Sequence, residues 1–193
     1  RLARAQAAIK KSHRTVEHTS VGAAARLPSI LPRGHTLPPE LWQQRHAWMV
    51  RLLWAHTVVL FAWGLAIHNP LWHASLDASP LLFCALVASY PRLTRVSRSS
   101  AACIGLLSAS AVIVHLMHGA IEAHFHFFLV VSVLAFYEEW FPYLLSFGFV
   151  LAHHGILGVL APSSVYNHHA AIEHPWRWAA IHAGYIATLG VIN

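Results

Sequence analysis

From residue 41 onward the chain is a succession of apolar stretches, at roughly 43–67, 78–92, 99–118, 121–139, 141–161 and 175–193. A helix needs ~17–25 such residues to cross the hydrocarbon of a bilayer, and each stretch comes near that length, the second being the shortest. No water reaches that layer, so a crossing segment must satisfy its own backbone hydrogen bonds, and each stretch is expected to be a helix. The breaks carry turn residues. Asn69-Pro70 closes the first stretch, Ser79-Pro80 opens the second and Pro91 closes it. Pro142 separates the fourth from the fifth, and Pro162 and Pro175 bracket the longest loop. Residues 99–139 are too long for one crossing, which predicts a tight turn near His118-Gly119-Ala120. The composition agrees. Only 10% of the residues are charged and 56% are hydrophobic, against roughly 25% charged in soluble domains. A water-soluble globule could not cover its surface with so few charges, and disorder is excluded for most of the chain.

Charge orients these helices. Residues 1–40 are polar and basic, interrupted by Pro28, Pro32, Pro38 and Pro39, with a short helix expected at 2–14. Of 13 Lys and Arg, nine lie in residues 1–51, Arg92, Arg95 and Arg98 lie between the second and third stretches, and Arg177 stands apart. Alternating crossings put the first twelve on one side. By the positive-inside rule that side is cytoplasmic, together with the N-terminus and the end of the sixth helix. The expectation is an all-α integral membrane bundle of six transmembrane helices over 41–193, preceded by a basic cytoplasmic N-terminal segment over 1–40. Topology and anionic lipid account for the net charge of +6, and nucleic acid is not an expected partner. Cys84 and Cys103 sit in apolar runs and predict neither a disulfide nor a thiolate metal site. The chain starts on Arg1, shows no signal peptide and stops within an apolar run, as a piece of a longer protein would.

Histidine is the anomaly, at 17 residues. His68, His73, His115, His118, His124, His126, His153, His154, His168, His169, His174 and His182 all fall on the outer half of this topology. Glu122 is expected one turn from His126 on the same helix face, with His124 pointing elsewhere. His115 and His118 share a face on the preceding helix, and only one ring of His153-His154 is expected to point inward, because helical neighbours differ by 100°. The predicted ligand set is therefore His115, His118, Glu122, His126, His153 or His154, and His182.

Neutral imidazole ligates iron, copper, zinc and nickel, and a carboxylate suits iron or zinc as a companion. With only Met49 and Met117, a thioether copper(I) site is not expected. Haem b needs axial histidines between helices and an apolar cleft, which the aromatic residues could line. These residues do not separate a bare transition metal (Fe, Cu or Zn) from haem. A lone membrane histidine is more often a packing or interfacial residue than a ligand, and His168, His169 and His174 read as solvated loop residues. Agreement among several helices sets the other histidines apart. A proton-linked polar network without metal is the alternative reading of the same residues.

The tract Ile121-Glu122-Ala123-His124-Phe125-His126-Phe127-Phe128 is followed by Tyr137-Glu138-Glu139-Trp140-Phe141-Pro142, His153-His154-Gly155 and Trp178-Ala179-Ala180-Ile181-His182-Ala183. With these segments, residues 41–193 resemble the N-terminal membrane-integral sensory region of bacterial signalling proteins, found ahead of diguanylate cyclase, histidine kinase, chemoreceptor or nucleotide cyclase modules. The resemblance implies a six-helix input domain in the bacterial inner membrane. The expected partners are the lipid bilayer, a cytoplasmic signalling output domain in cis or in trans, and a second copy of the chain in a homodimer. Two other functions compete. A di-iron or haem oxidoreductase would set its histidine boxes on the cytoplasmic side with H-x-x-x-H and H-x-x-H-H spacing, which His115/His118 and His153-His154 only partly match. A metal or proton transporter would extend its polar path to the inner half, where only His56 lies mid-membrane.

Overall fold

The computed structural model describes residues 37–192, and every regular element among them is helical. The expected helix at 2–14 and nearly all of the basic segment lie outside the described residues. Six long helices alternate in direction: α1 (Pro39–Ala66), α2 (Leu71–Ser89), α3 (Arg95–Leu116), α4 (Ile121–Leu134), α5 (Trp140–Leu160) and α6 (Pro175–Ile192). A 3-10 turn, Ala135–Tyr137, extends α4, and α5 contains a π-helical turn at His153–Leu157. Short helices Pro162–Val165 and His169–Glu173 fill the loop between α5 and α6. By length and composition α1, α2, α3 and α5 can each cross a membrane. The apolar segment Ile121–Tyr137 is shorter, and α6 has 18 residues.

The punctuation works locally as turn chemistry requires, with one exception. Pro38 and Pro39 open α1, and the αL residue His68 (φ 67°) closes it, with the Asn69 N–H returning to the Gly64 carbonyl. Thr94 caps α3 by accepting from the Ser97 N–H at 3.1 Å. His118 (φ 52°) and Gly119 (φ 73°) make the predicted turn between α3 and α4. The exception is α2, which starts at Leu71 rather than near residue 78, so Pro80 lies inside the helix. Pro80 has no N–H for the Leu76 carbonyl, and the Ser79 hydroxyl donates to that carbonyl instead, at 2.8 Å. Ser79-Pro80 is thus a repaired helix interior, not a helix start.

The central helix is α3, which packs against α1, α2, α4 and α5. Its small residues Ala101, Ala102, Gly105 and Ala109 let neighbours come close; a Cβ on Gly105 would lie 2.7 Å from Leu53 and 2.8 Å from Cys84. Large apolar side chains such as Val58, Phe83, Leu129 and Leu144 point outward instead.

One end of the bundle carries the arginines. There His46, buried to 1% exposure, donates from Nε2 to the Ala88 carbonyl (3.0 Å) and accepts at Nδ1 from the Tyr137 hydroxyl (2.7 Å). Trp42 stacks on the His46 ring at 4.6 Å, donates to Ser99 and lies beneath the Arg95 and Arg98 guanidinium groups. Arg45 pairs with Glu138 at 2.6 Å and Arg95 with Glu139 at 2.5 Å. These two glutamates are thereby tied to α1 and α3.

Candidate functional site: the histidine end

The opposite end, where α1 meets α2, α3 meets α4 and α5 meets α6, holds the histidines in separate groups. The largest joins three helices. His124 lies in the first turn of α4, His154 in the π-turn of α5 and His182 in the first half of α6. Their ring centroids are 5.1 Å (His124–His154), 5.3 Å (His124–His182) and 4.6 Å (His154–His182) apart. Each ring is anchored in the same way. Its Nδ1–H donates to the carbonyl four residues back in its own helix: Ala120, Val150 and Trp178, each at 2.9 Å. A carbonyl can only accept, so the neutral ring keeps its lone pair on Nε2. The Nε2 of His154 is buried with no hydrogen-bond partner. That of His124 is likewise buried without a hydrogen-bond partner, with the Val165 backbone beside the ring.

The sequence places these rings through three devices. A π-turn adds one residue to a helical turn and so reduces the angle between neighbours. Both His153 (8% exposed) and His154 (1%) therefore face the interior, where a regular helix would admit one of them. Gly155 lets the six-membered ring of the Trp176 indole come close to the turn, where a Cβ would clash with it. Tyr166, from the loop, covers the group: it stacks on His124 at 6.2 Å, and its hydroxyl donates to the His154 carbonyl at 3.2 Å. Burial pushes the Tyr166 phenol above its ordinary pKa, so it stays a donor. Phe127 and Phe149 flank His153.

His126 lies elsewhere. Its Nε2 is 3.3 Å from Nε2 of His56 on α1, and its Nδ1 is 2.9 Å from the Ser110 hydroxyl on α3. His56 Nδ1 must donate to the Leu52 carbonyl (2.8 Å), so one chain of donors satisfies all of these atoms: Ser110 to His126, His126 to His56, His56 to Leu52. His115 is paired with His73 and Asp77. His118 is exposed in the α3–α4 turn, and Glu122 is exposed at the start of α4 without an ion pair among the described residues. Of the predicted ligands, the structure brings together His153, His154 and His182; His115 and His126 belong to two other groups.

Sequence reasoning left out His124, His56, His73, Asp77 and Tyr166. For His124 a signal exists. His124, Phe127, Val131 and Leu134 recur at helical spacing and form the buried stripe of α4. Taking phase from that stripe, rather than from Glu122, puts His124 inward. His73 and Asp77 share an i,i+4 face on a helix opened by Asn69-Pro70.

The chain is 34% identical over 186 residues to the Transducer protein Htr8 of Halobacterium salinarum, an alignment that takes in 89% of this chain and 29% of that protein. A transducer protein is a homologue of this chain. The chain spans less than a third of that relative's length. No protein-family model matches the chain, and no solved structure matches it. The relative agrees with the expectation of a signalling protein, and four helices able to cross a membrane agree with a multi-pass membrane protein.

Proposed function

We propose that the chain is a membrane-integral sensory input domain with six crossings, the histidine end outside and the arginine end in the cytoplasm. Its ligand is a transition-metal centre (Fe, Cu or Zn, bare or as haem b) bound through His124, His154 and His182. The observation that carries this reading is the buried, unpartnered Nε2 of His154, on a ring that touches two more imidazoles from two other helices. Buried nitrogens without partners are costly, and they persist where something binds them. The Nδ1–carbonyl anchors fix the tautomer as they do around metal-bound histidines.

The rings stand nearly face to face, His154 on His182 at 27° between planes and His124 on His182 at 25°. As the rings stand, their nitrogens are not all within 4.8 Å of one another, so holding one ion requires the rings to swing, and a porphyrin additionally requires α4 and α6 to part. The aromatic surround of Phe127, Phe149, Tyr166 and Trp178 favours the haem form as the second reading. Either way, occupancy moves rings carried on α4, α5 and α6, and a ligand that binds one packing better than another shifts the balance between them. The end of α6 lies at the arginine end, so the change reaches the side where a cytoplasmic output module, in cis or in trans, would respond.

The test is elemental analysis and an optical spectrum of the purified protein, followed by output measured with and without the bound centre. The reading requires a stoichiometric metal or a Soret band that falls at least about tenfold in occupancy or affinity in His154→Ala and His182→Ala. Unchanged occupancy in both variants sinks the site. Reporter fusions at Arg95 and at Val165 must report opposite compartments; the same compartment for both sinks the topology.

A further inference from the structure

A second group of donors lies apart from the three-helix cluster, between α2 and α3. His73 and Asp77 are one turn apart at the start of α2, and His115 stands in the last turn of α3. The Nε2 atoms of His73 and His115 are 3.3 Å apart. Asp77 Oδ2 is 3.7 Å from His73 Nε2, and Asp77 Oδ1 is 3.9 Å from His115 Nε2. With one ligand atom from each residue, all three atoms lie within 4.8 Å of one another.

These separations are long for hydrogen bonds to the carboxylate, whose Oδ2 is buried without a partner. The ion-pair neighbours of Asp77 among the described residues are these two histidines. A carboxylate near the start of an apolar helix needs a cation to offset its desolvation, and a metal ion held by these two imidazoles would be one. A tetrahedral ion with bonds of ~2.0–2.2 Å to nitrogen and oxygen holds its ligand atoms roughly 3.3–3.6 Å apart; the two nitrogens already stand at that separation, and the set closes when one Asp77 oxygen moves toward both of them. Two imidazoles and one carboxylate match borderline divalent first-row cations, and the absence of sulfur from the group disfavours copper(I). Side-chain exposures of 30% for His73, 15% for Asp77 and 35% for His115 leave a way in and room for water in the remaining positions.

We infer that His73, Asp77 and His115 form a site for a divalent first-row transition cation that clamps α2 to α3 at the histidine end. It is distinct from the site of the sensory reading and stands or falls separately. The test is a zinc(II) titration of the full chain in detergent by calorimetry, on the wild type and on Asp77→Asn, His73→Ala and His182→Ala. The wild type must bind zinc. Affinity for this equivalent must fall at least about tenfold in both Asp77→Asn and His73→Ala and persist in His182→Ala. Asn keeps the shape of Asp, and unfolding curves without zinc show whether each variant is folded. If His73→Ala does not fold, His115→Gln takes its place. No zinc binding by the wild type overturns the inference, as does wild-type affinity in either α2 variant. Loss in His182→Ala with retention in Asp77→Asn assigns the zinc to the three-helix cluster and also overturns it.

Discussion

His46 and His154 are both about 1% exposed, and both rings lie among aromatic neighbours, yet their surroundings differ. At the arginine end both nitrogens of His46 are used, one by Ala88 and one by Tyr137, so the ring joins α1, α2 and the turn after α4. At the histidine end His154 spends one nitrogen on its own helix and leaves the other bare. Buried side-chain atoms without partners among the described residues are Asp77 Oδ2, Arg95 Nε, His124 Nε2 and His154 Nε2, and all but the Arg95 atom lie at the histidine end. A polar group that closes its hydrogen bonds locally holds the fold together. One that keeps a lone pair in reserve costs stability and is suited to bind something else.

The largest test of this contrast is His46→Leu. It strands the Tyr137 hydroxyl and the Ala88 carbonyl and disturbs the stack under Trp42, and it should destabilise the protein by roughly 2–4 kcal/mol in denaturant unfolding. A loss below the range for one hydrogen bond would erase the distinction between the two ends. The next effect concerns the ligand. In an Asp77→Asn background, which removes the second cation site, metal or haem at 100 times its Kd should stabilise the protein by about 2.7 kcal/mol, and the added His154→Leu should leave it unmoved, read as a shift in Tm. Ser110→Ala follows, removing the donor to His126 Nδ1, with an expected loss of about 0.5–1.5 kcal/mol. His154→Leu, measured without ligand, should be neutral or stabilise by up to about 1 kcal/mol, because it removes a buried atom that has no partner. A large destabilisation there would mean that His154 is structural, like His46. The smallest change is Arg45→Gln, which removes an ion pair whose partners are 27% and 45% exposed; less than about 1 kcal/mol is expected, falling further as salt is added.

The helices were readable from residue type because length and apolarity leave a membrane segment few choices. What escaped was phase. Asp77 and His73 look like loop residues beside Pro80, yet Ser79 repairs the proline and carries α2 two turns further back. The gathering of histidines at one end was legible from their positions along the chain, but not their sorting into groups. The Glu122–His126 spacing set the face of α4 by a charged pair, whereas the packing follows Phe127, Val131 and Leu134, which turns His124 inward and His126 toward His56. The π-turn at His153–Leu157 has no signature in residue type, since it comes from how α5 meets Trp176 and Tyr166, partners distant in the chain.

The contact between Gly155 and Trp176 carries a consequence for how such a site can diverge. The gap between α5 and α6 beside His154 and His182 is set by a residue that offers only a hydrogen atom, with an indole against it. Any larger residue at 155 must displace the Trp176 indole from its place against α5. The imidazole spacing then changes while all donor atoms keep their identity. On the proposed metal reading, the bore of the site is adjustable from a position outside the donor set, and a lineage could change the size of ion it accepts through one small substitution behind the histidines. Sequence comparisons confined to the donor residues would record two such proteins as the same.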